Sequence, residues 1–193
     1  MSFEGYDAFD DPYSYKGTTT LKNRLGLRDS RLLESFELEM TTLRAREPLP
    51  TGRYDAGHYR RVHRHLFQDV YNWAGKYRTV RTSKGGNPFC FPEHIPAQMD
   101  RLFSSLQGPS FDTKDAEQFV TATAHFLAEL NAIHPFREGN GRSQLSFVHL
   151  LGERAGYPFD FSRLQRGSFL PAMVASYDGN LEPLIGELRA VLA

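Results

Sequence analysis

His134-Pro135-Phe136-Arg137-Glu138-Gly139-Asn140-Gly141-Arg142 is the stretch on which the reading of this 193-residue chain turns. A histidine directly ahead of a proline marks the end of a helix, because proline disfavours the helical conformation in the residue before it. The Gly-Asn-Gly-Arg run reads as a tight turn opening the next helix, with glycines that let the backbone approach a ligand unhindered. At such an opening the amides of Gly139, Asn140 and Gly141 lack intrahelical acceptors and carry partial positive charge, which suits phosphate. Arg142 adds a full charge in a geometry matched to phosphate oxygens. Glu138 is a hard oxygen ligand of the kind that holds Mg2+ on phosphates, although an acidic residue here also simply favours the helix dipole. His134 is the group in the stretch that accepts a proton near neutral pH. A base, a metal ligand and an anion cradle together are the parts needed for in-line attack on a nucleotide phosphorus.

Working outward, Ala116, Phe119, Val120, Thr123, Leu127 and Leu130 recur at helical spacing. They predict a long helix capped by Asp112 or Thr113 and stopped at His134. Downstream, a helix runs from Asn140 to Arg154 and ends at Gly156-Tyr157-Pro158, with two more over 162–177 and 180–192. Upstream, Ser30 is the expected N-cap of a helix with Leu32, Leu33, Phe36, Met40 and Leu43 on one face, stopped by Pro48 and Pro50. A second helix carries Tyr59, Val62, His63, Leu66, Phe67, Val70 and Tyr71, with Gly75 where a C-cap belongs. Another follows Pro92 and ends near Gly108. Residues 77–91 break the helical run, and short β-prone segments around Lys84-Gly85-Gly86-Asn87 read as a hairpin. The expected fold is all-α, a helical bundle with one small β-hairpin. Residues 1–29 read as an extended lead-in and 30–193 as a single domain.

Composition narrows the function classes. Lys plus Arg equal Asp plus Glu, so no global field draws the molecule to nucleic acid or anionic lipid, and neither is expected as a partner. No apolar run is long enough to span a membrane. The acidic start, MSFEGYDAFDDPYSY, lacks the apolar region of a secretory signal. Cys90 is the sole cysteine, which excludes an internal disulfide and fits a reducing compartment. A cytoplasmic protein is expected, with delivery as an effector by a specialised secretion system left open. His58, His63 and His65 lack acidic or cysteine companions at zinc-like spacing and read as surface or core residues. The basic Tyr59–Arg64 run does not make a nucleic-acid site in a neutral chain. Trp73 is expected in the core, and His125 is expected to point away from His134.

The 134–142 run resembles the signature of the Fic family, His-x-Phe-x-(Asp/Glu)-Gly-Asn-Gly-Arg-x-x-Arg. The 77–91 hairpin resembles the family's flap, and the lead-in from Tyr13 to Leu27 resembles the start of compact bacterial Fic toxins and host-targeted effectors. The resemblance implies a protein adenylyltransferase that moves AMP from ATP onto a Ser, Thr or Tyr hydroxyl. In it His134 would be the general base, Phe136 an apolar anchor, and Glu138 the holder of Mg2+. Gly139, Asn140, Gly141 and Arg142 would bind the phosphates. Thr82, Ser83 and Lys84 of the flap would clamp the target strand, with Lys84 and Gly85 over the nucleotide. Bacterial topoisomerases or host small GTPases are the implied targets, and a small antitoxin donating an inhibitory helix in trans is the implied regulator.

The last signature arginine falls at position 145, which is Leu145. A grip on the γ-phosphate is lost there, which implies a weakened or retuned enzyme, a different phosphoryl donor, or a flap-based binding module. Ser30-Arg31-Leu32-Leu33-Glu34-Ser35 comes near the family's inhibitory pattern but ends in serine. It reads as part of an ordinary amphipathic helix.

Overall fold

Described residues 11–84 and 86–193 of the computed structural model form seven α-helices and one two-stranded hairpin. The elements are α1 (Ser30–Ala45), α2 (Ala56–Phe67), β1 (Ser83–Lys84), β2 (Asn87–Pro88), α3 (Ile95–Ser104), α4 (Ala116–Ile133), α5 (Asn140–Ala155), α6 (Arg166–Tyr177) and α7 (Glu182–Ala190). Helix α4 is apolar around most of its circumference, and a helix of that kind needs cover on two sides. Phe126, Leu130 and Ile133 face a core shared with α1, α2 and α3. Phe119, Val120 and Leu127 face a second core closed by α6 and α7. Helix α5 divides in the same way, with Phe147 and Leu151 on the first side and Val148 on the second. The joint between α4 and α5 is thereby held from both faces.

Several boundaries differ from the sequence expectation. Asp29, not Ser30, caps α1: its carboxylate accepts the amides of Arg31 (2.8 Å) and Leu32 (3.1 Å). Asp115, not Asp112 or Thr113, caps α4 through the amides of Glu117 and Gln118, while Thr113 accepts the amide of Asp115 itself. At α1 the carboxylate is the stronger acceptor, and at α4 Asp115 stands directly before Ala116, where its oxygen reaches both amides. Helix α2 ends at Phe67, yet Val70 and Tyr71 remain buried in the turn beyond it. Gly75 therefore caps no helix. Its φ of +78° and its closeness to the Arg60 carbonyl let the turn lie flat on α2. Leu33 is buried, but Leu32 and Leu43 are exposed, because α2 covers only a narrow strip of α1.

The hairpin forms as expected, with Ser83 opposite Pro88 and Lys84 opposite Asn87. Gly85 lies outside the described residues. Below the hairpin lies Arg78, a fully buried cation. Its Nε donates to the His134 carbonyl (2.8 Å) and its Nη1 to Val80 (2.6 Å). Its Nη2 reaches the carbonyls of Cys90 (2.5 Å) and Ile133 (3.2 Å). One guanidinium thus ties both legs of the hairpin to the end of α4. The lead-in is tied to the same region, since Tyr13 Oη accepts the Thr79 amide and Asp11 pairs with Arg137 at 2.7 Å.

Replacing Arg78 by Met leaves several buried carbonyls without a donor, and unmade buried hydrogen bonds cost more than made ones contribute. Arg78→Met should lower stability by about 3 kcal/mol, read as a shifted urea midpoint at unchanged slope. An unshifted midpoint would show that water replaces the guanidinium there.

Candidate active site

The loop between α4 and α5 begins with a residue in an uncommon conformation. His134 has φ +49° and ψ +61°, the left-handed region, and its amide closes α4 by donating to the Leu130 carbonyl (3.0 Å). Pro135 forbids a further helical turn, and Arg78 holds the His134 carbonyl where this conformation puts it. Asn140 then closes the loop with its side-chain amide. Its Oδ1 accepts the Phe136 amide (2.9 Å) and its Nδ2 donates to the Phe136 carbonyl (2.8 Å). Phe136 is fully buried, 3.7 Å from the His63 ring between centroids. His63 supports the loop too. The Gly75 amide donates to its Nδ1 (2.9 Å), so Nε2 carries the proton and donates to the Glu138 carbonyl (2.9 Å).

Gly139 opens α5 at φ +80°, and a Cβ there would collide with the Phe67 ring. The first helical bond runs from the Ser143 amide to the Gly139 carbonyl (3.1 Å), so the amides of Asn140, Gly141 and Arg142 precede the ladder. The position of a Cβ on Gly141 is open space. That end of α5 has the form of an anion site.

The His134 ring lies parallel to Phe89 of the flap, with centroids 3.9 Å apart and planes 7° apart. Burial, followed by the charges of Arg78 and Lys84, pushes its pKa from the usual 6.5 down to about 3, and the Asn131 carbonyl opposes the shift. Burial likewise lowers His63 to about 3. Both rings are neutral at physiological pH. The flap over His134 is pinned at its far side, where Tyr177 of α6 donates to the Pro88 carbonyl (2.5 Å).

On the other side of the amides stands a cluster of charges. Glu138 Oε1 accepts the Gly139 amide (2.8 Å) and lies 3.7 Å from Arg142 Nη2. Burial first, and the Glu37 carboxylate second, raise the Glu138 pKa above the usual carboxylate range. Arg142 pairs with Glu37 of α1, donates to Thr41 (3.1 Å) and lies over the Phe67 ring (4.7 Å). Two carboxylates against one guanidinium leave room for a cation. Among the described residues no group of three or more His, Cys, Asp or Glu assembles a metal site. An ion held by Glu138 would therefore complete its shell with phosphate and water oxygens.

His134, Phe136, Glu138, Gly139, Asn140, Gly141 and Arg142 are thus brought together, with Thr82, Ser83 and Lys84 on the adjoining flap. Leu145 is partly buried against the second core and joins Arg142 in lining a recess of about 450 Å3. His58 is buried on the Pro50 carbonyl and His125 is exposed. Trp73 is partly buried, stacked on Tyr71. Sequence reasoning did not single out Asp11, Glu37, Thr41, Arg78 or Phe89, and placed Tyr71 only on a helix face. Glu34, the acid it weighed on α1, is exposed, whereas Glu37 reaches the site.

A fold and a signature loop of this form define a family, and residues 53–151 match the model of the Fic/DOC family. The chain belongs to that family. It is 49% identical over 189 residues to the probable protein adenylyltransferase y4lH of Sinorhizobium fredii, covering 97% of this chain and 98% of that one. It is 34% identical to the probable protein adenylyltransferase Fic of Escherichia coli, over 90% of this chain and 88% of the other. Among solved structures, the BepC effector of Bartonella tribocorum with bound AMPPNP superimposes with a TM-score of 0.83 at 28% identity. That match covers 94% of this chain and 96% of the solved one.

The two neutral histidines make stability depend on pH. Unfolded, each binds a proton below about 6.5; folded, neither does until about 3. Their contribution is fully present above 6.5 and declines as pH falls from there towards 3, by about 1.4 kcal/mol per unit for each ring. Urea unfolding of the parent at pH 7.5 and 5.5 should differ by roughly 1.4 kcal/mol more than that of His134→Asn. Equal differences would mean that the His134 ring is not held neutral.

Proposed function

We propose that this chain transfers AMP from ATP to a hydroxyl side chain of a target protein. The observation that carries the reading is the setting of His134, a buried neutral imidazole one loop ahead of the amides of α5 that precede its helical ladder. A neutral imidazole has a lone pair ready for a proton. The target hydroxyl oxygen bonds to the α-phosphorus and its proton passes to His134. The bond from the α-phosphorus to the bridging oxygen breaks, and pyrophosphate leaves with the electron pair. The phosphate charges beside the ring offset the cost of the imidazolium that burial otherwise disfavours. The amides of Asn140 and Gly141 and the Arg142 guanidinium hold phosphate oxygens, and the Gly139 amide joins them once Glu138 releases it. Glu138 is the residue to hold Mg2+, which supplies charge neutralisation on the phosphates. Thr82, Ser83 and Lys84 pair with the target segment, and Lys84 and Gly85 cover the nucleotide. Phe136 anchors the loop and touches no substrate.

The protein is read as acting in the cytoplasm, on a bacterial topoisomerase or, if delivered as an effector, on a host GTPase. A small antitoxin would restrain it in trans. Leu145 favours a second reading as well: with an apolar side chain beside Arg142, the γ-phosphate end has one cation fewer. The enzyme is then slower, uses another donor, or binds its partner through the flap without modifying it.

With Mg2+, labelled ATP and a lysate, the parent should label a protein band that gains the mass of AMP. His134→Ala should reduce labelling at least 100-fold, on the order expected for a lost general base. Absence of label from ATP, GTP, UTP and CTP alike would replace transfer with binding. In the same assay Leu145→Arg should raise ATP-dependent labelling several-fold; unchanged or lower labelling would show that position 145 does not limit the reaction.

A further inference from the structure

A general base works along the in-plane lone pair of its nitrogen, so the plane of the His134 ring matters as much as its place. In histidine bases a hydrogen bond to the second ring nitrogen usually sets that plane. The Asn131 carbonyl lies close enough to favour the protonated ring, but Nδ1 of His134 is buried without a hydrogen-bond partner among the described residues. What lies flat on the imidazole is Phe89, with centroids 3.9 Å apart and planes 7° apart. Phe89 is itself fixed from three sides. Its amide donates to the Thr82 carbonyl on the other leg of the hairpin (3.0 Å), and the next amide, Cys90, donates to Ala132 at the end of α4 (3.1 Å). On α6, Tyr177 donates its hydroxyl to the Pro88 carbonyl (2.5 Å) and stands edge-on to the Phe89 ring, centroids 6.4 Å apart.

We infer that Phe89 is a positioning residue for the general base: its ring, held by the hairpin and by Tyr177, fixes the plane of the His134 imidazole during transfer. The inference rests on the reading of His134 as that base. Stacking blocks a face of the imidazole and not its edge, where the lone pair lies. The same aromatic face meets the imidazolium that forms when the hydroxyl proton arrives, and the electron-rich face of a phenyl ring attracts a cation. Leucine in this place would cover the ring, but it has neither a flat face nor that charge distribution. Tyr177 lies outside the 134–142 loop and acts at one remove, through the Pro88 carbonyl.

The test pairs kinetics with a direct view of the ring, in the full chain. Labelling from ATP is measured while ATP and lysate are varied separately. Phe89→Leu should lower the maximal rate about tenfold or more, as a misplaced base does, with the half-saturating ATP and lysate concentrations unchanged. Phe89→Tyr keeps the aromatic face and should retain the parent rate, and Tyr177→Phe should show a smaller loss of the same kind as Phe89→Leu. In proton NMR the His134 ring signals, assigned by their loss in His134→Asn, should lie upfield in the parent and move downfield in Phe89→Leu, with those of His63 unmoved. A full maximal rate for Phe89→Leu with a raised half-saturating lysate concentration would overturn the proposal and make Phe89 a contact to the target. Unmoved His134 signals would overturn it as well, since the ring would then be held by something else. If His134→Ala labelled as fast as the parent, or the parent not at all, the reading of His134 as the base would fall, and this inference with it.

Discussion

Arg78 occupies the point where the end of α4, the proline loop and both legs of the hairpin converge, and the geometry of the site follows from satisfying it. A buried guanidinium is tolerable only when its donors are used, and the carbonyls of Val80, Cys90, Ile133 and His134 use them. Its own amide adds a bond to the Pro135 carbonyl (2.9 Å). With that carbonyl set fixed, His134 has to leave the helix in the left-handed region, and its ring is delivered to the face of Phe89. The flap is therefore an extension of the joint that carries the histidine.

The opening of α5 separates two environments with opposite electrostatic character. On the His134 side, burial and nearby cations keep the ring uncharged. On the Glu138 side, Glu37, Glu138 and Arg142 crowd together, and one of the carboxylates is held above its usual range. The amides between them carry only partial charge. A polyanion placed across that boundary would change both halves at once, raising the basicity of the ring and drawing on the guanidinium. Binding and proton transfer are in this sense joined by one set of dipoles.

What the sequence made legible was local. Helix periodicity, the proline stop and the glycine turn involve residues within a few positions of each other, and the fold class and the 134–142 loop followed from them. Contacts closed by the fold were not legible. Arg78 and His134 are 56 positions apart, and Glu37 and Arg142 are 105 apart. No spacing rule links a glutamate on an amphipathic helix to an arginine so distant. Glu34 drew notice because it sat in a recognisable pattern, while Glu37, three residues on, points at the site. Caps erred where several acceptors lay close together, as at Asp112, Thr113 and Asp115. Leu32 and Leu43 erred because periodicity defines a face but not how wide a neighbour covers it.

Asp11 lies 126 positions before Arg137, yet its carboxylate receives two of that residue's guanidinium nitrogens inside the protein. The same carboxylate accepts the Ser14 hydroxyl (3.0 Å) and the Tyr13 amide (3.0 Å), so it is bound into the lead-in as firmly as into the loop. A shortened version beginning at Ser30 would keep every signature residue but lose the Asp29 cap of α1 and the Leu21 side chain of the first core. It would also strip Arg137 of the Asp11 carboxylate, next to the backbone that opens α5. Trimming the leader would thus loosen the 134–142 loop from behind while also weakening the start of α1.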